Sequence, residues 1–287
     1  MDASDESGAS LAIARKSADL LRAEATAARL YRIDFAWDIN KALEFALLRT
    51  YGAPGISSLL DRTNETVGRP QKRYDDTVLI VVEILLNGLD SPRATRAYKR
   101  LNDMHGRYRI ANDDFLYVLS TFIFSPIDWI ARYGRRELTQ AEIDDWFFFW
   151  RAFGERMGIQ NIFADMAEFR AFQENFERTS YAPSPSNGKV ARGSMNVVLN
   201  GYFVPHFMRP IGYRIVMALC APHLVAALGY REPSRLFRGA VNFLMQCRRA
   251  FLRRVPLKRN PIPQYSGAKT YPEGYEIEEL GTFKASR

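Results

Sequence analysis

The chain has 287 residues, 47% of them apolar or aromatic, with a formal net charge of +8. That composition supports a sizeable core and excludes a disordered chain. The two cysteines, Cys220 and Cys247, lie in apolar or amphipathic pattern without a C-x-x-C spacing, so they read as free core thiols in a reducing compartment rather than a disulfide or zinc framework.

In chain order, Met1 to Ser10 is an acidic, small-residue tail without the cationic start and apolar run of a secretory signal. A helical period then runs from Ser10 to Leu48 and stops at Gly52-Ala53-Pro54-Gly55. A short helix is expected over Ile56 to Asp61, followed by a polar stretch to Pro70. Tyr74 to Leu86 is rich in β-branched residues, but its length and the absence of any partner strand favour a buried helix. Ser91-Pro92 pairs a capping hydroxyl with a proline preset for the first turn and opens the next helix. Asn112 or Asp113 begins another, expected to break at Pro126. Thr139-Gln140-Ala141-Glu142 is a capping box that opens a helix carrying Trp146, Phe149, Trp150 and Phe153, a core stripe at helical spacing. Ser180 to Ser194, with two prolines and two glycines among serines, reads as a loop or lid.

Helical pattern returns from Met195 to Val255, interrupted by Pro205, Pro210 and Pro222. Its charge-free runs, Gly193 to Met208 and Ile215 to Tyr230, fall short of the ~20 residues that span a bilayer and are expected as buried core helices. Arg248, Arg249, Arg253, Arg254, Lys258 and Arg259 form a basic run, read as a solvated helix face with a peripheral contact to an anionic membrane as the alternative. No nucleic-acid fold signature accompanies it, so nucleic acid is not an expected partner. Pro261 to Arg287 is a turn-rich, tyrosine-dotted tail expected to wrap the surface. The expected fold class is all-α, a single helical domain over 11–260 between a disordered 1–10 tail and an extended 261–287 tail.

Two stretches carry the chemistry. In a helix, Arg73, Asp76 and Thr77 fall at i, i+3 and i+4, so a cation, a carboxylate and a hydroxyl share one face. His105 shares a helical face with Ala97, Leu101, Met104 and Tyr108, which turns the imidazole inward. Such a histidine needs either a hydrogen-bonded core partner or a metal, and haem iron is a frequent one. His206 and His223 stand alone beside prolines, without H-x-x-x-H spacing, and read as structural. Nucleophile-elbow, phosphate-loop and dinucleotide-binding motifs are absent, which removes the common hydrolase, kinase and dehydrogenase readings.

The run from about Tyr51 to Glu177 resembles the catalytic domain shared by bacterial rubber oxygenases (latex clearing proteins) and the fungal MpaB oxygenases, with the MpaB-like branch the nearer. The resemblance rests on Arg100-Leu101-Asn102-Asp103-Met104-His105-Gly106-Arg107-Tyr108, the run from Ile110 to Leu119, Pro126-Ile127-Asp128-Trp129-Ile130, and Phe149 to Ile159. It implies a globin-like helical core with extra helices and a b-type haem between them. His105 would be the iron ligand, and Arg73 and Thr77 would lie on the distal side. Asp76 stands where the rubber oxygenases have lysine, so a carboxylate replaces a cation; it is expected to pair with Arg73 and relay a proton. The family's proposed base has no counterpart upstream of Arg73, which leaves Asp76 itself or Glu65 as candidates.

The function implied is a haem-dependent oxygenase of a hydrophobic, isoprenoid or other alkene-bearing small molecule, with oxidative cleavage of a C=C bond. Hydroxylation of the same substrates, or a haem- or lipid-binding carrier or sensor without turnover, remain alternatives. Fungal members carry a membrane anchor; none is expected here, and a cytoplasmic location is.

Overall fold

The computed structural model describes residues 17–256 and 268–282, and among these every regular element is a helix. α1 (17–29) widens into a π-turn at Leu30–Asp34, and α2 (Ala36–Thr50) starts after Phe35. The sequence pattern runs unbroken here, but Phe35 leaves helical geometry at φ −137°, ψ 32°. Its ring is 1% exposed and lies 4.9 Å from the Arg136 guanidinium, so packing of one aromatic side chain overrides the local period.

α3 (Pro54–Thr63) and α5 (Pro70–Asn87) each begin with proline in the first turn, and a single turn, α4 (Glu65–Gly68), fills the stretch expected to be irregular. The β-branched run is helical, as expected. Side-chain pairs one turn apart hold the start of α5, with Gln71 bonded to Asp75 and Lys72 to Asp76. α6 (Pro92–His105) begins where the Ser91 hydroxyl accepts from the Ala94 N–H at 3.0 Å.

α7 (Asn112–Tyr133) does not break at Pro126: the helix passes through it. The Trp146 indole donates to the Ile123 carbonyl at 3.2 Å, beside the Phe122 carbonyl that Pro126 leaves without its helical amide. Of the described helices only α7 has the length and apolarity to cross a membrane, yet it forms the central core helix, packed along α2. α8 (Gln140–Arg156) opens on the expected capping box, with both reciprocal bonds formed, and buries its four expected aromatics. Burial of each such ring contributes about 2–3 kcal/mol.

α9 (Met166–Ser180) and α10 (Pro185–Gly201) overturn the expected loop over 180–194. Pro185 is a helix start rather than a breaker. Gly193 is a contact residue, since a Cβ there would lie 2.2 Å from the Thr66 carbonyl oxygen. α11 (Arg209–Leu219), α12 (Pro222–Ala227) and α13 (Arg235–Arg254) complete the helices. The charge-free runs are only partly core: Leu224, Val225 and Leu228 are buried, but Phe203 and Phe207 are more than four-fifths exposed because Phe203 adopts a positive φ and α10 stops. Cys220 is buried, as expected, while Cys247 is exposed on the outer side of α13, so only one of the two is a core thiol.

The tail segment 268–282 lies across α5 and α6 as a strap, burying Ile277 and Leu280 in the main core. The expected surface wrap is therefore also a core element. Residues 1–16, 257–267, with Lys258, Arg259 and Pro261 among them, and 283–287 fall outside the described residues.

Candidate functional site

α5 and α6 form two walls of a cavity of about 330 Å³. Arg73, Asp76 and Thr77 line it from α5 and His105 from the last turn of α6, so the structure brings all four expected residues together. Phe115, Val118, Phe122, Trp150 and Phe153 supply apolar lining from α7 and α8. Two of the core-stripe aromatics thus do double duty as cavity wall.

His105 is half-buried, and its Nδ1 is buried without a hydrogen-bond partner. The ring meets Phe115 edge-on, with centroids 5.3 Å apart. Burial, and then the positive charge of Arg73, push its pKa down to about 4, so the imidazole is neutral at physiological pH. The Nε1 of Trp150, which lines the cavity from α8, is also buried without a partner. A neutral imidazole on the wall of an apolar cavity is competent to ligate a metal centre through a ring nitrogen.

Arg73 Nη1 donates to the Thr77 hydroxyl, which in turn donates to the Arg73 carbonyl at 2.8 Å. Asp76 does not pair with Arg73, contrary to expectation. It is 3% exposed and accepts from Lys72 Nζ at 2.7 Å and from the Tyr271 hydroxyl at 2.6 Å. The reason is helical spacing: Arg73 finds Thr77 and Lys72 finds Asp76, each at i+4, where side chains lie one above the other. A lysine does therefore adjoin this carboxylate, but it is directed at the strap.

Glu65, the other candidate base, is 7% exposed, accepts from Arg69 and lines the cavity. Asp114 was not singled out from sequence, although it sits within one of the resembling blocks. It also lines the cavity, and burial together with neighbouring Asp113 raises its carboxyl above the usual carboxylate range. Gly281 and Thr282 of the strap close one side, a contribution for which the tail sequence gave no signal beyond its tyrosines. An adjoining opening is edged by Arg62, Arg69, Arg107 and Arg109 around Glu65. His206 and His223 lie away from the cavity; His223 bonds Glu177 at 3.0 Å and His206 faces Arg209 at 3.2 Å.

Residues 46–250 match the family model described as ER-bound oxygenase mpaB/B'/Rubber oxygenase, catalytic domain. The chain is 25% identical to the ER-bound oxygenase mpaB' of Penicillium brevicompactum, covering 87% of this chain and 75% of that protein. It is 29% identical to the ER-bound oxygenase mpaB of Penicillium roqueforti (strain FM164), covering 70% and 73%. To the mpaB of Penicillium brevicompactum it is 27% identical, over 75% of this chain and 59% of that one. With the match spanning every helix from α3 to α12 and both walls of the cavity, the chain belongs to the mpaB and rubber oxygenase catalytic-domain family.

Proposed function

We propose that the protein is a haem b-dependent oxygenase that cleaves the C=C bond of a hydrophobic, isoprenoid or other alkene-bearing small molecule, both atoms of O₂ ending in two carbonyl products. The observation that carries the reading is the placement of His105 on the wall of an apolar cavity that Arg73 and Thr77 also line. Among the described residues no group of three or more His, Cys, Asp or Glu is placed to hold a bare metal ion, so a single imidazole favours a macrocycle that brings its own remaining ligands. His105 would hold the haem, and Arg62 and Arg109 at the adjoining opening would meet its carboxylates. When bound, the group supplies O₂ activation.

The chain's own residues do the rest. Arg73, oriented by its bond to Thr77, places a fixed positive charge in the cavity where negative charge develops on oxygen. Asp76, fixed by Lys72 and Tyr271, presents a carboxylate able to accept a proton at its Oδ atoms. The walls from α7 and α8 exclude water and take the hydrocarbon of the substrate.

The purified protein should show a Soret band and bind haem without covalent attachment. His105→Ala should lose most of that absorbance, while His206→Ala and His223→Ala retain it. Arg73→Ala and Thr77→Ala should keep haem and lose about tenfold to a thousandfold in oxygen-dependent product formation. Full haem in His105→Ala would remove this histidine as the ligand.

A further inference from the structure

α13 is an amphipathic helix with the wrong face outward. Its inner side packs Val241 and Met245 against the protein, yet Leu236, Phe243, Leu244 and Phe251 are between 65% and 88% exposed. These four, with exposed Cys247, recur at helical spacing along one outer stripe. The stripe does not end with the helix. α11 packs beside α13 and exposes Ile211 and Ile215, and the turn before it exposes Phe207 and Met208. Trp37 connects the two: Arg248 of α13 stacks 3.8 Å over its ring, and its indole N–H donates to the Tyr202 hydroxyl at 3.0 Å, next to Phe203. Apart from Leu21, the exposed large apolar side chains of the described residues thus lie on these adjoining elements or at their ends.

Charge decides what covers it. α13 carries six arginines and no acidic residue. Arg248 is held inward by Asp38 at 2.8 Å, and Arg249 turns toward the Arg132 carbonyl, whereas Arg235, Arg253 and Arg254 are exposed beside the apolar stripe. A second copy docked on this face by a two-fold axis would set arginine-rich helix against arginine-rich helix. An anionic lipid surface instead accepts the apolar side chains below its headgroups and the guanidinium groups among them, and exposed Trp37 and Tyr202 have the apolar body and polar tip suited to that boundary.

We infer that the face formed by α13, α11 and the 202–208 turn is a membrane-docking surface that lays the domain on an anionic bilayer without spanning it. This stands apart from the haem assignment, because none of its residues lines the cavity. It also moves the contact from the basic run alone to the apolar stripe: arginines confer the lipid preference, and phenylalanines insert.

The test is co-sedimentation of the full chain with phosphatidylcholine vesicles, with and without phosphatidylserine. Wild type should pellet with the anionic vesicles, at least about fivefold more than with neutral ones, and less as salt rises. The pairs Phe243→Ser/Phe251→Ser and Phe203→Ser/Phe207→Ser should each abolish pelleting while keeping the unfolding midpoint, since the side chains are exposed. Arg253→Gln/Arg254→Gln should narrow the gap between the two vesicle types. Wild type that ignores both vesicle types overturns the inference, as does binding that survives the phenylalanine substitutions. A concentration-dependent dimer by light scattering, dispersed by those substitutions and indifferent to vesicles, would assign the face to a second copy instead.

Discussion

Asp76 serves two elements with one carboxylate. Oδ2 takes the Lys72 ammonium from its own helix and Oδ1 takes the Tyr271 hydroxyl from the strap, while Lys72 spends its remaining donors on Tyr271 at 2.9 Å and the Gly281 carbonyl at 3.0 Å. Removing the charge without changing the shape separates its two roles. Asp76→Asn should retain haem, because the side chain does not touch His105, but should lose oxygen-dependent product formation. Lys72→Met leaves the carboxylate in place and should loosen the strap, which is read as faster amide exchange over 268–282 with turnover less affected. Equal turnover in wild type and Asp76→Asn would make this carboxylate a strap anchor only.

The strap bonds to both cavity walls, α5 and α6. It satisfies charged groups that α5 and α6 bury: Asp75 accepts from Thr270, Glu83 from Tyr275, and Arg100 donates to the Leu280 carbonyl at 2.5 Å. Those side chains are no more than 3% exposed, so each strap bond is made away from water and its loss costs that bond even where another partner stays, as Arg93 does for Glu83 and Gln71 for Asp75. Gly281 of the strap lies against Met104 of α6. It has φ +90°, and a Cβ there would sit 1.9 Å from Sδ of Met104, the neighbour of His105. Gly281→Ala should cost about 1–3 kcal/mol in urea unfolding and weaken haem binding, through left-handed strain and displacement of Met104. An unchanged midpoint together with unchanged haem affinity would show that the strap does not set the cavity.

Over the whole molecule, a buried ionic network joins the main core to the second apolar cluster built on α10, α11 and α12. Glu177 of α9 accepts from Arg49 of α2, from the Tyr117 hydroxyl of α7 at 3.0 Å, and from His223 of α12. Burial opposes its charge, but Arg49 and these hydrogen bonds outweigh it and hold the carboxyl below its ordinary range. A depressed carboxylate adds stability above its unfolded pKa, and that stability drains away as pH falls through the folded value. Glu177→Gln should therefore cost about 3–5 kcal/mol near neutral pH by stranding Arg49, and should flatten the loss of stability below about pH 4.5. A variant whose acid unfolding profile matches wild type would place the acid sensitivity elsewhere.

The amino-acid sequence by itself determined the helices and most of their starts, because capping and period are local: Ser91 before Pro92, and Thr139 with Glu142, act within one turn of their own chain. The resemblance of its motifs to the family implied that Arg73, Thr77 and His105 share a cavity, whereas helical period by itself sets each only on one face of its own helix. Only the tertiary structure decided the strap partner of Asp76, the passage of α7 through Pro126, the helix over the serine-rich stretch after Pro185, and the strap that closes the site. Each of those depends on a contact between residues distant in sequence, such as Tyr271 with Asp76 or Gly193 with Thr66. Propensity and period carry no information about what packs across such a contact.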